Sequence, residues 1–432
     1  MRKRAYRSIR VKKVLVSQIL LELPEGPLRV GVDVGKAGLF VVLRDGSGEF
    51  SRPWKVNQPG ELGELVGRLA ELSQKRSLTV ALESTGTYGD ALRQALTDAG
   101  ISVHRVSGKA THDYAEIFDG VPSAHDGKDA AVIAELAGIG KSTAWPYQPP
   151  SAEDGELAWW VDWMDAQQDV VRSWQGRLEA LLSRHWPEAT RILNLNSVTL
   201  QKVLLHYGSP AILASASEGE QQLSIWGGRF LSQEKIGRFV DSAAATVGVR
   251  MTAEDVLRMQ SYAGEALRAT REVKKSKREL SRLAQGNATI QRQAKVVGSP
   301  TACVLWASVG DPSKYPCGEA YRKAMGLNLK ERSSGKHQGK LKITKRGPGL
   351  ARQWLFFSAM RILQKPPVRV WFEAKKRKDS DRGLGAVVAV MRKLALALYA
   401  VGARGEEFSL DRLFPGRPTR LPKGGDCHQA LA

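Results

Sequence analysis

The sequence predicts an α/β domain at the N-terminus followed by a largely helical remainder, and three observations carry that prediction. Apolar strand patterns alternate with helical ones between about residues 28 and 139, a heptad repeat opens at Leu157, and helices separated by basic loops follow it.

The first strand is the apolar run Leu28 to Val34, and the second is Leu39 to Leu43. "RDGSGE" is a hairpin turn built on Asp45-Gly46, and a third strand covers about Phe50 to Val56. "GELGELVGRLAELSQ" carries helical periodicity, and "SLTVALE" is a buried strand ending at Glu83. "TYGDALRQALTDAG" is a helix stopped by Gly100, "ISVHRVS" is a fifth strand, and helix continues to about residue 139. Three antiparallel strands followed by alternating parallel units describe an RNase H-like sheet.

Pro146, Pro149 and Pro150 mark a boundary. Beyond it Leu157, Trp160, Met164, Gln167, Val171, Trp174, Leu178, Leu181 and His185 alternate in steps of three and four, which is a coiled-coil seam with Gln167 as its polar interruption. The same pattern suits a dimer strut or an amphipathic core helix. A second long helix begins at the Thr252 cap and could pair with the first in antiparallel fashion. Between them lie short helices, and the last third is basic, with helices at "RQWLFFSAMRIL", "WFEAKKRK" and "GAVVAVMRKLALALYAVG". The tail after Gly402, rich in proline and glycine, is expected to be loosely ordered.

A net charge of +21 is the strongest global signal. Self-repulsion of that size is relieved by a polyanion, and nucleic acid is the common one. No uninterrupted run of eighteen apolar residues suggests a membrane span, and the basic N-terminus has neither the apolar core nor the cleavage site of a secretory signal. Three cysteines without zinc spacing fit a reducing cytoplasm.

Four carboxylates draw attention. Asp33 and Glu83 each end an apolar strand, and Asp126 and Asp129 share the face of a helix start. Singly, each has an ordinary explanation as a turn residue, a cap or a solvated helix start. Together, in this topology, they converge on the sheet's centre, where four acids stay ionised only with divalent cations. Oxygen donors suit Mg²⁺ or Mn²⁺, and two such ions would activate in-line attack on phosphorus. Lys36, Thr85, Thr87, Tyr88 and Lys128 are neighbouring candidates for holding phosphates.

"VGVDVGK", "ALESTGTYGDALRQAL" and "HDGKDAAVIAELA" resemble the N-terminal blocks of the DEDD insertion-sequence transposases, also described as bridge-RNA-guided recombinases. "YRKAMGLNLKERSSGKHQGKLKITKRGPGLARQWL" resembles that family's second block. The resemblance implies five segments: a basic arm (1–27), a RuvC-like catalytic domain (28–148), a helical coiled-coil region with an insert (149–293), a Tnp domain (294–402) and a tail (403–432). It implies that Asp33, Glu83, Asp126 and Asp129 are the DEDD metal ligands. It also implies that Ser334, beside Ser333, is the nucleophile of a phosphoserine intermediate. Arg332, Lys336, Lys340, Lys342, Lys345 and Arg346, with Lys330, would hold phosphates. Target and donor DNA, a noncoding guide RNA, and a homodimer assembling into a tetramer are the implied partners, acting at the nucleoid. The alternative from the acids alone is a junction-resolving nuclease that uses water. The sequence departs from the family pattern at His125, where a Lys or Arg is usual, and at "AKVVGSPTA", which keeps only Gly298 of a glycine-rich hairpin.

Overall fold

The computed structural model describes residues 7–84, 86–120, 125–331, 341–379 and 383–415. It divides into two compact units, 1–149 and 150–432.

The first unit is built on a seven-stranded mixed sheet: β1 (Ile9–Arg10), β2 (Leu28–Val34), β3 (Gly38–Arg44), β4 (Trp54–Asn57), β5 (Leu78–Glu83), β6 (Ser102–Val106) and β7 (Thr143–Ala144). Their spatial order is β1-β4-β3-β2-β5-β6-β7. β2, β3 and β4 form the antiparallel meander, while β5 and β6 run parallel to β2. The meander and its two parallel neighbours are those the strand patterns predicted, while β1 and β7, at the two edges, are additional. The third strand begins later than expected, since Phe50 makes only an isolated bridge to Arg44. The turn before it is tied by Asp45, fully buried, whose carboxylate accepts from the Ser47 hydroxyl at 2.6 Å and from the Ser47, Gly48 and Glu49 amides.

Five helices cover the sheet: α1 (Val16–Glu22), α2 (Leu62–Lys75), α3 (Asp90–Asp98), α4 (Gly108–Asp119) and α5 (Asp126–Gly138). The expected basic arm does not stand apart. β1 pairs with β4, and Val11, Val14, Val16, Ile19 and Leu23 are buried in the core formed by β2–β5. Basic residues between these positions hide the apolar pattern that drives the packing.

In the second unit α6 (Ala152–His185) leads into a small helical subdomain of α7 (Ala189–Ile192), α8 (Val198–Tyr207), α9 (Pro210–Ser215), α10 (Gly219–Gly227) and α11 (Gln233–Ala244). The chain returns along α12 (Ala253–Leu283). Glu156 meets Arg282, Trp163 meets Glu272, Trp174 meets Tyr262 and His185 meets Asp255, so α6 and α12 are antiparallel. The heptad seam is therefore filled within the chain, Leu157 and Met164 in one core and Leu178 in another. α13 (Ala288–Val297), α14 (Ser299–Val309), α15 (Gly318–Ala324), α16 (Gly349–Ile362), α17 (Pro366–Lys378), α18 (Gly383–Arg404) and α19 (Leu410–Leu413) complete the unit, with a two-stranded ribbon of β8 (Leu329–Lys330) and β9 (Lys342–Ile343).

By length and composition α18 could cross a membrane, although Arg392 and Lys393 interrupt it. Half of that stretch is buried, and Val390, Leu394 and Leu398 lie at the centre of the core. The start of the tail is packed rather than loose: Phe414 is buried against Trp371, and Lys393 donates to the Leu413 carbonyl at 2.9 Å.

Candidate active site

Strand register places the first two acids. Val32 pairs with Leu82 in parallel strands, so Asp33 and Glu83 follow at the same level on neighbouring strands. Residues two apart on a strand share a face, so Asp33 lies on the face of Gly31. A Cβ at Gly31 would stand 2.0 Å from the Ala130 carbonyl oxygen and 2.4 Å from the Ala134 nitrogen. Only glycine lets α5 approach β2 this closely. The helix that crosses Gly31 with Ala130 and Ala134 begins at Asp126, and its first turn brings Asp126 and Asp129 toward Asp33. Arg44 on β3 fixes the other end through a 2.5 Å ion pair with Glu135.

Asp33 is pushed up from the ordinary aspartate value of 3.8 to about 6, first by burial and then by the charges of Asp129, Asp126 and Glu83. Asp129 is also raised, by burial and by Asp126, against the lowering effects of Lys128 and His125. Glu83 has its own seat: a Cβ at Gly108, the first residue of α4, would lie 2.3 Å from its Oε1. The acids thus feel one another's charge. Among the described residues, however, no group of three His, Cys, Asp or Glu side chains could hold a metal ion as placed.

His125, where the family pattern has a basic residue, caps α5: its Nδ1 accepts from the Gly127 amide at 3.0 Å. Lys36, Thr87 and Tyr88 are exposed near the strand ends. Lys128 corrects an expectation. It is 1% exposed and holds Asp119 at 2.7 Å, so it ties α5 to α4 instead of facing a phosphate. Sequence reasoning placed it by its neighbours and could not see that the inward face of α5's first turn carries it.

In the second unit Lys342 opens the ribbon's return strand, and Lys345 and Arg346 follow it. Lys345 takes the left-handed backbone conformation (φ 57°) and donates its amide to the Gly326 carbonyl at 3.0 Å. Thr85, Arg332, Ser333, Ser334, Lys336 and Lys340 lie outside the described residues. Sequence reasoning missed three arginines at the foot of the ribbon, Arg322, Arg352 and Arg392. They sit on α15, α16 and α18, the first two at opposite ends of the quoted second block and the third in an apolar helix about forty residues on, so only the fold brings them together.

The seven-stranded mixed sheet with its cluster of acids defines an α/β domain, joined to a largely helical unit. Two family models match the chain: a DEDD transposase model of the IS110 type over residues 30–187, and one described as transposase, IS116/IS110/IS902 family, over residues 288–371. The chain belongs to the IS110 family of transposases, enzymes that cut and rejoin DNA. An uncharacterized 42 kDa protein of insertion element IS900 from Mycobacterium paratuberculosis is 24% identical, covering 87% of this chain and 95% of its own length. An uncharacterized 43.6 kDa protein of insertion element IS110 from Streptomyces coelicolor is 23% identical, covering 86% and 93%. Among solved structures, T. thermophilus RuvC in complex with a Holliday junction substrate aligns with a TM-score of 0.22 and 17% identity, covering 28% of this chain and 99% of that one.

Proposed function

We propose that this transposase recombines DNA by serine attack, with Ser334 as the nucleophile and the acid cluster as the metal site. Asp33, Glu83, Asp126 and Asp129 would hold divalent cations, Mg²⁺ or Mn²⁺, which when bound neutralise the acids and activate a hydroxyl near phosphorus. The Ser334 Oγ–P bond forms as one backbone P–O bond breaks, so the phosphoester is conserved and the strand can be rejoined without an external energy source. Lys36 and Thr87 beside the acids, and Lys342, Lys345 and Arg346 with Arg332, Lys336 and Lys340 beside the serine, would position the strands. Target and donor are selected by a guide RNA, and a homodimer doubles to a tetramer in the working complex.

The observation that carries this reading is the gathering of carboxylates around Asp33, placed by the β2–β5 register and by the close approach of α5 over Gly31. Three further acids, from β5 and from the start of α5, act on it at once. A fold that needed only solvated helix starts and strand ends would not gather them. Like charges hold such a set open, and a divalent cation is what would draw it together.

Covalent trapping tests the reading. The protein, its native flanking DNA and a donor plasmid are incubated with Mg²⁺, denatured in detergent and probed for protein-linked DNA. The expected adduct is lost in Ser334→Ala and in Asp33→Ala and kept in Ser333→Ala. Nicked DNA without an adduct, abolished only by Asp33→Ala, would establish the water-using nuclease instead.

A further inference from the structure

The foot of the β8–β9 ribbon is wrapped by arginines. Met325, Gly326 and Leu327 offer three successive carbonyls. Arg352 on α16 donates Nη1 to Met325 at 3.2 Å and to Gly347 at 2.7 Å. Thr344 and Lys345 occupy the Gly326 oxygen. Arg392, from the middle of α18, donates Nε to Leu327 at 3.1 Å. The packing is tight, since a Cβ at Gly326 would lie 2.8 Å from the Arg352 guanidinium, and one at Gly347 2.2 Å from the Ala324 oxygen.

Arg322, in the last turn of α15, has no such anchor. Its Nε is shut off from solvent and without a hydrogen-bond partner, and the buried Oδ1 of Asn328 beside the ribbon is likewise unpartnered among the described residues. Arg322 and Arg392 are close enough to repel: Arg392 is lowered by burial and then by Arg322. Among the described residues neither of them, nor Arg352, forms an ion pair with a carboxylate. Partly buried like charges without a counter-ion are costly, and a fold keeps them where an anion completes the set. The guanidinium edges of Arg352 and Arg392, held in place by carbonyls, leave their remaining N–H groups in a fixed fork, which matches a tetrahedral phosphate better than a single carboxylate.

We propose that Arg322 and Arg392, with Arg352 beside them, bind a backbone phosphate of DNA at the foot of the β8–β9 ribbon. The site rests on the proposed function only in one respect: the ribbon's connection contains Ser334, so this phosphate belongs to the strand offered to the serine. The three arginines are positioning residues.

The test uses the full-length protein carrying Ser334→Ala, so that no covalent step enters, and measures affinity for a duplex of its native flanking DNA against salt concentration. A single-stranded RNA of equal length is the second arm. Each phosphate contact contributes about 0.9 to the slope of log affinity against log salt for duplex DNA. Arg322→Gln is expected to flatten the DNA slope by about one unit, leave the RNA slope unchanged and raise the melting temperature of the free protein, because it removes an unpaired charge. Arg322→Lys is expected to keep the slope. Arg392→Gln should flatten the slope likewise, and Arg369→Gln, which removes a surface charge paired with Glu373, should leave it unchanged. An unchanged DNA slope in folded Arg322→Gln, a loss confined to RNA, or a fall in melting temperature without a slope change would overturn the site. Adduct formation by the protein with Ser334 intact reports separately on the serine, so either idea can fail alone.

Discussion

Asp33 stands at the end of a short causal line. Gly31 admits α5, α5 delivers Asp126 and Asp129, and burial, followed by the charges of Asp129, Asp126 and Glu83, raises Asp33 to about 6. In the folded, metal-free chain Asp33 holds its proton more tightly than in the unfolded chain. Below about pH 4 it is protonated in both states and the shift costs nothing. As the pH rises toward 6 the unfolded chain has released a proton that the folded chain still binds, so stability falls, and above 6 the loss is complete. Asp33→Asn is therefore expected to raise the melting temperature of metal-free protein near pH 7.5 and to leave it unchanged near pH 4. Mg²⁺ should stabilise the wild type, and not the variant, at the higher pH. Equal gains at both pH values would mean that the acids do not interact. Two glycines separate packing from chemistry. Gly31→Ala meets backbone at 2.0 Å and should cost at least about 3 kcal/mol in denaturant unfolding. Gly108→Ala meets only the mobile end of Glu83, so stability should change by less than about 1 kcal/mol while cleavage falls about 100-fold. If cleavage survives Gly108→Ala, Glu83 is not needed in its present seat.

At the scale of elements, the sheet was legible because its cues are local. Each strand is an apolar run bounded by a turn signal, and the connection lengths dictate which pairs are parallel. Asp33 and Glu83 stood out because each closes such a run, and Asp126 and Asp129 because they share the first turn of a helix. Partners distant in sequence were not: Lys128 needed Asp119 across the α4–α5 turn, and the arginines of α15, α16 and α18 needed the whole helical unit. The heptad of α6 shows the same limit from the other side. Its period correctly marks a buried stripe, but period does not name the partner, and α12 of the same chain supplies it. Gln167 sits in that stripe, buried, with an amide oxygen that has no donor among the described residues. Replacing it with leucine removes the unsatisfied group at similar volume. Gln167→Leu should raise unfolding free energy by about 1 kcal/mol, and sedimentation should show the same assembly state. A changed assembly state would mean that the glutamine selects the partner of α6 and is not merely tolerated.

At the scale of the molecule, charge and chemistry are divided. Residues 253–432 carry 36 lysines and arginines against 15 aspartates and glutamates, which alone equals the net +21 of the chain. The segment from 1 to 149, with the acid cluster, carries 20 against 17. A nearly neutral catalytic domain gains little by counterion release, so it cannot hold a polyanion strongly by itself. On the proposed reading the second unit would supply the grip. The split makes a definite forecast for binding measured against salt. Changing Lys375, Lys376, Arg377 and Lys378 at the end of α17 to glutamine removes four cations, Lys375 being the one that holds Asp379 at 2.5 Å. Changing Lys12, Lys13, Lys55 and Lys75 in the first unit removes the same number. If the second unit carries the phosphate contacts, the α17 set should flatten the salt slope for native flanking DNA by up to about three units. The first-unit set should leave the slope within error of the wild type. The reverse result would place the phosphate backbone on the seven-stranded sheet, and the excess charge of the helical unit would then have to serve another polyanion such as RNA, which the same titration with single-stranded RNA would reveal.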